Sequence, residues 1–251
     1  MKMDSSIGIG SKGGSTVPLQ KKSVHEYIVA TLRRAIVDGE YVPGQRLVEA
    51  DMQVRLGVSR PAVREALRQL EAEKLVTSTP FKGTSVAEIT WEEAEEIYEV
   101  RELLEGHATF RFATRAKQSD LSRLNAAAAD FDAAMLEPAP QQRLVNAAHV
   151  FFDIILEGSG SRVIWDVLRG LSARISLLRF KSMSLPGRAH QSSQEMHHIA
   201  AMLEAGDPAA AEQAAKAHVR QARAAARAIY DISRNGPLQS DRDGPASRRR
   251  P

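Results

Sequence analysis

Residues 59–73 constrain the fold more than any other part of the chain, because they predict a helix with two different faces. Apolar residues recur there at i, i+3, i+4 and i+7, so one face of the helix must be buried. The buried set is Val63, Ala66, Leu67 and Leu70. Arg60, Arg64 and Arg68 follow each other at four-residue steps on the opposite face. A buried stripe backed by a row of cations is typical of a helix that reads the major groove of DNA.

The start of this helix also suits contact with base edges. Ser59 stands at the N-cap position, where its hydroxyl can accept a bond from a free amide, and Pro61 is tolerated in the first turn. The positive end of the helix dipole therefore coincides with Arg60 and Arg64. Residues 56–58, Leu-Gly-Val, supply the turn before it, and the arrangement predicts a helix-turn-helix.

The neighbouring segments complete a small DNA-binding domain. A Ser-x-x-Glu capping box at Ser23 and Glu26 opens the first helix, and Gly39 ends it. The predicted helices span 23–38, 48–56 and 59–73. β-rich runs at 75–79 and 84–87, joined by a turn that contains Pro and Gly, predict a two-stranded hairpin. Three helices followed by such a hairpin predict a winged helix.

From residue 90 onward the pattern changes to long amphipathic helices alone. Capping residues, prolines and glycines mark their ends. The predicted helices span 90–116, 119–137, 141–157, 162–180, 191–205 and 207–233. Short connections favour antiparallel neighbours, so we predict an antiparallel α-helical bundle and a mainly α fold class for the whole chain.

Length and composition set the organisation. The 251 residues leave room for two domains that each bury a core. The predicted divisions are a disordered lead-in over 1–18, a winged helix-turn-helix domain over 19–88, a helical bundle over 89–232 and a disordered basic tail over 233–251.

The composition bears on the class of protein. The sequence has no run of about 18 apolar residues, so no membrane span is predicted. Without cysteine the chain has no disulfides or thiolate metal sites, which fits a cytoplasmic protein. The net charge of +3 is too small to identify a nucleic-acid binder by itself.

Several blocks of the chain match known sequence signatures. Residues 43–47 read Pro-Gly-Gln-Arg-Leu, residues 57–67 read Gly-Val-Ser-Arg-Pro-Ala-Val-Arg-Glu-Ala-Leu, and residues 70–76 read Leu-Glu-Ala-Glu-Lys-Leu-Val. These blocks resemble the GntR family of bacterial repressors. The bundle is similar to the all-helical effector domain of FadR-type members of that family. That similarity lies at residues 98–105, 159–160, 186–188 and 205–207, and at His218.

The resemblance implies a ligand-responsive, sequence-specific regulator, a homodimer that represses a metabolic operon and binds an inverted-repeat operator in double-stranded DNA. It also implies that the bundle binds a small anionic effector, a carboxylate or acyl compound, and repositions the winged helices. The DNA contacts of the family fall on Ser59, Arg60, Arg64, Lys82 and Gly83. Arginine can bind guanine through two parallel bonds, which agrees with this placement. The alternative is a solvated helix face on which Glu65 and Glu71 pair with the arginines.

The family pattern breaks at its metal site. Many FadR-type domains hold a divalent metal through an Asp and a His one helical turn apart, a His in the fifth helix and a His in the last helix. Here Ala148, Phe152 and Met196 occupy the first three positions, and only His218 remains. One imidazole cannot hold a metal tightly, because a stable site needs about three or four protein ligands. We therefore expect no metal and no cofactor.

Neighbouring histidines leave one alternative, a shifted metal site made of His149, His197 and His218. A shift of one residue turns a side chain by about 100° around a helix, so it seldom replaces a ligand. The favoured interpretation is a metal-free, more apolar pocket lined by Phe152, Met196 and His218.

Arg101 is the leading candidate for the polar anchor of an effector. It falls within an apolar stripe made of Ile97, Val100, Leu104 and Ala108. A guanidinium that faces a core needs an anionic partner. That partner is either Glu105, one turn further on, or the carboxylate of an effector, and the sequence leaves both open. His149 and Arg174 are further pocket candidates, with interhelical polar contacts as the alternative.

Two other functions compete with the regulator. Glu195 and His198 have the Glu-x-x-His spacing of di-iron helical bundles, but such enzymes need a second pair, which the sequence lacks. No nucleophile elbow, phosphate loop or zinc-protease helix is present, so we expect a non-enzyme. The other alternative is a constitutive dimeric repressor whose bundle serves only dimerisation.

Overall fold

The computed structural model describes residues 19–37, 40–136 and 141–234, and within them it contains two hydrophobic cores. The first core belongs to a winged helix. Its elements are α1 (Leu19–Val37), β1 (Arg46–Leu47), α2 (Glu49–Leu56), α3 (Arg60–Ala72), β2 (Val76–Thr79) and β3 (Gly83–Val86). The predicted face of α3 is buried, since Val63, Ala66, Leu67 and Leu70 are at most 3% exposed.

The winged helix differs from the sequence prediction at two places. α1 begins at Leu19, so Ser23 lies inside the helix and not at its N-cap. Leu, Gln and Lys are good helix formers, and nothing in 19–23 stops the helix earlier. The wing also has a third strand, because β1 pairs with β3 in the order β1-β3-β2, all antiparallel. A strand of two residues is too short to show an alternating pattern.

The second core belongs to a bundle of six helices, as predicted. They are α4 (Trp91–Ala113), α5 (Gln118–Met135), α6 (Gln141–Gly158), α7 (Arg162–Met183), α8 (Arg188–Glu204) and α9 (Pro208–Arg234). α4 packs along α9, while α5 lies between α6 and α8. Thr90 caps α4 by accepting a bond from the Glu93 amide at 3.2 Å. α8 begins three residues before its predicted start, directly after Gly187, whose φ of 81° makes the preceding turn.

α7 connects the two cores. Ala173 and Leu177 pack against the core of the winged helix, while Ile175 and Leu178 are buried in the bundle. Arg174 binds Glu93 of α4 at 2.9 Å, and Lys74 of the winged helix lies 4.0 Å from the same carboxylate. Consecutive turns of one helix therefore contact both halves of the molecule.

Some predictions concern residues outside the described part of the chain. These are the lead-in over 1–18, the end of the first helix at Asp38 and Gly39, and the tail from residue 235 onward. The domain boundaries stay predictions. No helix among the described residues is long and apolar enough to cross a membrane.

Candidate functional site

The first candidate surface is the exposed face of α3 and its N-terminus. Ser59 occupies the N-cap position in extended conformation, with φ −76° and ψ 150°, but its side chain does not cap the helix. The expected capping bond is therefore absent, and the exposed hydroxyl stands beside the positive end of the helix dipole. A hydroxyl in that place can bind a phosphate oxygen.

The two arginines expected to read bases are exposed and held by polar residues of α2. Arg60 Nε donates to Gln53 Oε1 at 3.1 Å. Arg64 donates through Nε and Nη2 to the two carboxylate oxygens of Glu49, at 3.1 and 2.9 Å. Arg64 thus presents the same two-pronged geometry to Glu49 that it would present to guanine. The bond from Arg64 lowers the pKa of Glu49 and keeps it ionised.

Sequence reasoning missed both of these partners. It named Glu65 and Glu71, but Glu71 accepts a bond from the Ser78 amide of β2 at 2.9 Å. Glu49 lies 15 residues before Arg64. Only the packing of α2 on α3 brings them together, and no local spacing indicates it.

The tip of the wing carries the other expected DNA contacts. Gly83 has a φ of 84°, and a side chain there would lie 3.4 Å from the guanidinium of Arg46 on β1. Lys82 precedes it in the tight turn, where its amide donates to the Thr79 carbonyl at 3.1 Å. Lys82 and Gly83 are both exposed. The backbone conformation favours glycine here, whereas the distance to Arg46 would allow an ordinary van der Waals contact.

The second candidate site is a cluster of buried and partly buried charged residues inside the bundle, which we call the arginine cluster. It consists of Arg101, Arg179 and Arg188 with Glu105 and Glu195. Arg101 is fully buried, and its Nε donates to Glu105 at 2.7 Å. Burial opposes charge on Glu105, but Arg101 and Arg179 outweigh it and the pKa of Glu105 falls below its usual range. The structure therefore selects Glu105 as the partner of Arg101.

Arg188 supplies a second, largely buried ion pair. Its two terminal nitrogens donate to the carboxylate of Glu195 at 3.1 and 2.8 Å. The same carboxylate contacts His218 Nδ1 at 2.7 Å. Burial lowers the pKa of His218, although Glu195 opposes this, so the imidazole is neutral at pH 7 and Nδ1 is its donor.

Arg179 differs from the other two arginines. Among the described residues no carboxylate accepts a hydrogen bond from it, and its guanidinium carbon lies 5.1 Å from the centre of the Phe152 ring. Burial, followed by repulsion from Arg101, lowers the pKa of Arg179 to about 10. It stays charged at neutral pH. Sequence reasoning missed Arg179, although it lies in the apolar stripe of α7 with Ile175 and Leu178, the same signal that identified Arg101.

A cavity of about 530 Å³ leads to this arginine from the surface. Its walls come mainly from α6 and α7, and Arg33 and Glu73 of the winged helix line it as well. Bundle residues around it include Glu105, His149, Phe152, Asp153, Arg169 and Arg179. Arg33 and Glu73 are bound to each other at 2.6 Å. A ligand in this cavity would reach Arg179 inside and the winged helix outside.

The other predicted pocket residues lie at different depths. His149 lines the cavity and contacts Asp153 at 3.3 Å; burial lowers the pKa of His149 and raises that of Asp153. Met196 is fully buried in the bundle core. Arg174 does not line the cavity, because its guanidinium binds Glu93. The interhelical contact considered as the alternative for Arg174 is the one that the structure contains.

The residues at the family metal site do not fit a metal ion. Ala148, Phe152 and Met196 are buried, and the Phe152 ring packs on His218 with centroids 4.9 Å apart. Within the described ranges no group of three His, Asp or Glu side chains is arranged to hold a metal.

The shifted site is not assembled either. His149 contacts Asp153, His197 contacts Asp132 at 2.8 Å on the surface, and His218 contacts Glu195. Three separate carboxylates thus hold the three imidazoles. Glu195 and His198 do not converge as a di-iron pair would, since Glu195 faces the cluster and His198 is exposed.

Comparisons with known proteins agree with both halves of this structure. Residues 25–86 match the family of bacterial regulatory proteins, gntR family, and residues 96–221 match the FCD domain. The transcriptional regulator YdhC of Bacillus subtilis is 25% identical over 187 residues, which are 74% of this chain and 84% of that protein. The galactonate operon transcriptional repressor of Escherichia coli is 28% identical over 214 residues, 75% of this chain and 90% of the repressor.

A solved structure supports the same assignment. The crystal structure of a GntR transcriptional regulator from Rhodococcus sp. RHA1 superposes with a TM-score of 0.71 at 27% identity, and the match covers 83% of this chain and 98% of that one. The resemblance expected from the sequence is confirmed. The chain belongs to the GntR family of bacterial regulatory proteins and is a transcriptional regulator that combines a DNA-binding winged helix-turn-helix with an FCD domain.

Proposed function

We propose that this protein represses a metabolic operon and that a small carboxylate, bound in the bundle, releases it from its operator. The observation that carries the proposal is the charge of the arginine cluster. Within the cluster three buried guanidinium groups face two carboxylates, Glu105 and Glu195. Asp153 in the cavity wall also attracts Arg179, but no described carboxylate accepts a hydrogen bond from that guanidinium. A buried charge without a partner is costly, so an anionic ligand would be stabilised strongly there.

Unpartnered donors in and near the cluster support the proposal. Among the described residues eight buried side-chain polar atoms lack a hydrogen-bond partner, and five of them belong to the cluster or lie one helical turn from one of its members: Arg101 Nη1, Arg179 Nε, Arg188 Nε, Tyr98 Oη and Ser192 Oγ. Burial raises the pKa of Tyr98, so its phenol keeps the proton and can donate it. Buried donors without acceptors are rare in folded proteins, and a carboxylate with hydroxyl groups would satisfy several of them.

The cavity suits a ligand of that kind. Its volume of about 530 Å³ lies within the usual range for small-molecule sites. Arg179 is the cluster arginine that lines the cavity, and we infer that it is the primary anchor of the ligand. Arg101 would support the site indirectly, by holding Glu105 in the cavity wall. Phe152 and His149 would line the apolar part of the ligand, and His218 would orient Glu195. The galactonate repressor named above makes sugar acids the first compounds to test.

The DNA side of the proposal assigns base contacts to Arg60 and Arg64, a phosphate contact to Ser59, and wing contacts to Lys82 and Gly83. The exposed, two-pronged presentation of Arg64 supports this assignment. One recognition helix covers only a few base pairs, so we infer a homodimer on an inverted repeat. Sedimentation of the protein with one operator duplex should give two chains per duplex, and one chain per duplex would contradict the inference.

The effector is tested by thermal shift with a panel of sugar acids, short dicarboxylates and hydroxy acids, followed by operator binding with and without each hit. We expect at least one acid to raise the melting temperature and to weaken operator binding. Arg179→Met should abolish both responses without unfolding the protein, because no described carboxylate loses a hydrogen-bonded partner. Arg174→Met is the matched control, since Arg174 lies on the same helix outside the cavity.

Two outcomes would reject this proposal. If no acid changes either measurement, the protein is a constitutive repressor and the bundle serves assembly. If Arg174→Met and Arg179→Met behave alike, the ligand binds elsewhere.

A further inference from the structure

The turn at the tip of the wing has an unusual occupant. The Lys82 amide donates to the Thr79 carbonyl, which closes a four-residue turn between β2 and β3. Pro80 takes the second position, where its fixed φ fits. Phe81 takes the third position with a φ of +66°, a left-handed conformation. Glycine or asparagine is preferred at the third position of such a turn, because a side chain there is strained.

The side chain of Phe81 is also completely exposed, at 107% of its reference area. Among the described residues, the domain therefore holds its most exposed aromatic ring at the end of a hairpin, in a backbone conformation that disfavours it. Both features destabilise the isolated protein, by strain and by contact of an apolar ring with water. They are explained if the ring is covered when the protein is bound to its partner.

The charges around the ring indicate which partner that is. Lys82 follows Phe81 directly, and the guanidinium of Arg46 lies beside Gly83. Within the described part of the chain neither cation has an ion pair with a carboxylate. An apolar ring at a wing tip that also carries two available cations matches a nucleic-acid groove, where phosphates flank stacked bases.

We propose that Phe81 is an apolar wedge that enters the minor groove of the operator, while α3 occupies the adjacent major groove. The inference rests on DNA binding by the winged helix as proposed above. Side chains of this kind enter the minor groove between base steps, partly unstack them and bend the duplex. Lys82 and Arg46 would bind the phosphates on the two sides of the groove and hold the tip in place.

The experiment uses the full chain and a duplex that the unmodified protein selects from random sequence. Phe81→Gly relieves the turn strain and removes the ring, so it should melt at the same or a higher temperature and yet bind the duplex about tenfold more weakly. Its slope of log Kd against log salt should equal that of the unmodified protein, because no phosphate contact is lost. Lys82→Ala should lower that slope by about one.

A fluorescent base reports the wedge directly. With 2-aminopurine placed in turn at each step flanking the α3 half-site, the unmodified protein should raise the fluorescence at one step, and Phe81→Gly should not. Val54→Ala is the matched control, since Val54 is an apolar side chain of α2 with 83% exposure, and it should change neither signal nor affinity.

The outcomes separate the wedge from the DNA-binding proposal. If Phe81→Gly binds as tightly as the unmodified protein, or if no step responds to binding, the wedge is rejected while DNA binding stands. If Phe81→Gly changes the sedimentation of the free protein and not its DNA affinity, the ring contacts a second copy and the wedge is rejected. If the unmodified protein selects no duplex, both proposals fall.

Discussion

At the residue scale, the two candidate sites use arginine in opposite ways. Arg64 is 56% exposed and its ion pair with Glu49 is in contact with water. Such pairs contribute little and exchange partners easily, so Arg64 can leave Glu49 for a guanine. Arg101 is fully buried with Glu105, and removing it would leave a buried carboxylate without its partner. Loss of Arg101 therefore tests stability more than ligand binding, which is why Arg179 is the better variant for the effector.

The exchange at Arg64 leads to a prediction about its partner. Glu49→Gln should raise operator affinity about two- to fivefold, because it releases the guanidinium of Arg64 from its ion pair and removes a negative charge near the phosphates. Arg64→Ala should lower affinity about tenfold. Fluorescence anisotropy at one fixed salt concentration measures both. Glu40→Gln is the control, since Glu40 binds Arg55 on α2 and carries the same charge. Equal affinities for the two glutamine variants would show that Glu49 does not compete with DNA.

The buried carboxylate of Glu105 predicts the pH dependence of stability. Burial opposes its charge, but Arg101 and Arg179 lower the pKa of Glu105 below the ordinary value of 4.5. A lowered folded-state pKa contributes stability that is complete above the unfolded value and is lost as the pH falls below it. We expect the melting temperature to decrease as the pH is lowered through about 4.5. Glu105→Gln should make the melting temperature less dependent on pH in this acid range, while lowering stability at pH 7. Scanning calorimetry from pH 3 to pH 7 checks this. The same pH dependence of the melting temperature in the variant and in the unmodified protein would contradict it.

Sequence reasoning at this scale succeeded where one helix carried the whole pattern. Arg101 was found because it interrupts the apolar stripe of its own helix, and its partner Glu105 lies one turn away on that helix. Glu49 and the Arg188–Glu195–His218 group were not found, because packing of separate segments brings those side chains together. Spacing along one element is visible in a sequence, whereas the rotation of one element against another is set by the core.

At the element scale, α7 is the route by which a bound ligand would act on the DNA-binding half. Arg179 lines the ligand cavity, and Leu177, two residues earlier, packs against the core of the winged helix. The helix positions were predictable from capping residues and apolar periodicity. The double contact of α7 was not, because its apolar residues are spread over two faces and the pattern does not tell which core each face meets.

The role of α7 can be tested at Leu177. Leu177→Ala should keep the rise in melting temperature caused by the effector but reduce the loss of operator binding, because it loosens the contact between α7 and the winged helix. Paired thermal-shift and operator-binding titrations with the same acid separate the two responses. Leu171→Ala is the control on the same helix, since Leu171 packs against the bundle core and should leave the two responses coupled. If the effector still weakens operator binding equally in both variants, the effect of the ligand is not transmitted through α7.

At the scale of the whole molecule, two hydrophobic cores and the architecture of each were predictable from the change in pattern near residue 90. The effector chemistry follows from features that span the bundle. The family metal position is filled by Phe152 and Met196, and the space beside it contains arginines instead of metal ligands. We therefore infer that the proposed anionic effector would be recognised mainly by guanidinium groups.

This replacement predicts how the purified protein responds to metals. It should contain less than a stoichiometric amount of zinc, nickel or manganese, and a chelator should change neither the melting temperature nor operator binding, because Ala148 and Phe152 offer no donor atom and Met196 only a soft thioether. A tightly held ion would stabilise the folded state by mass action, so its removal would lower the melting temperature visibly. Elemental analysis and a chelator titration, with added zinc as the positive control for the assay, measure both effects. One tightly bound ion per chain would show that His149, His197 and His218 converge after all, and that α6 and α8 are rotated from the positions described above.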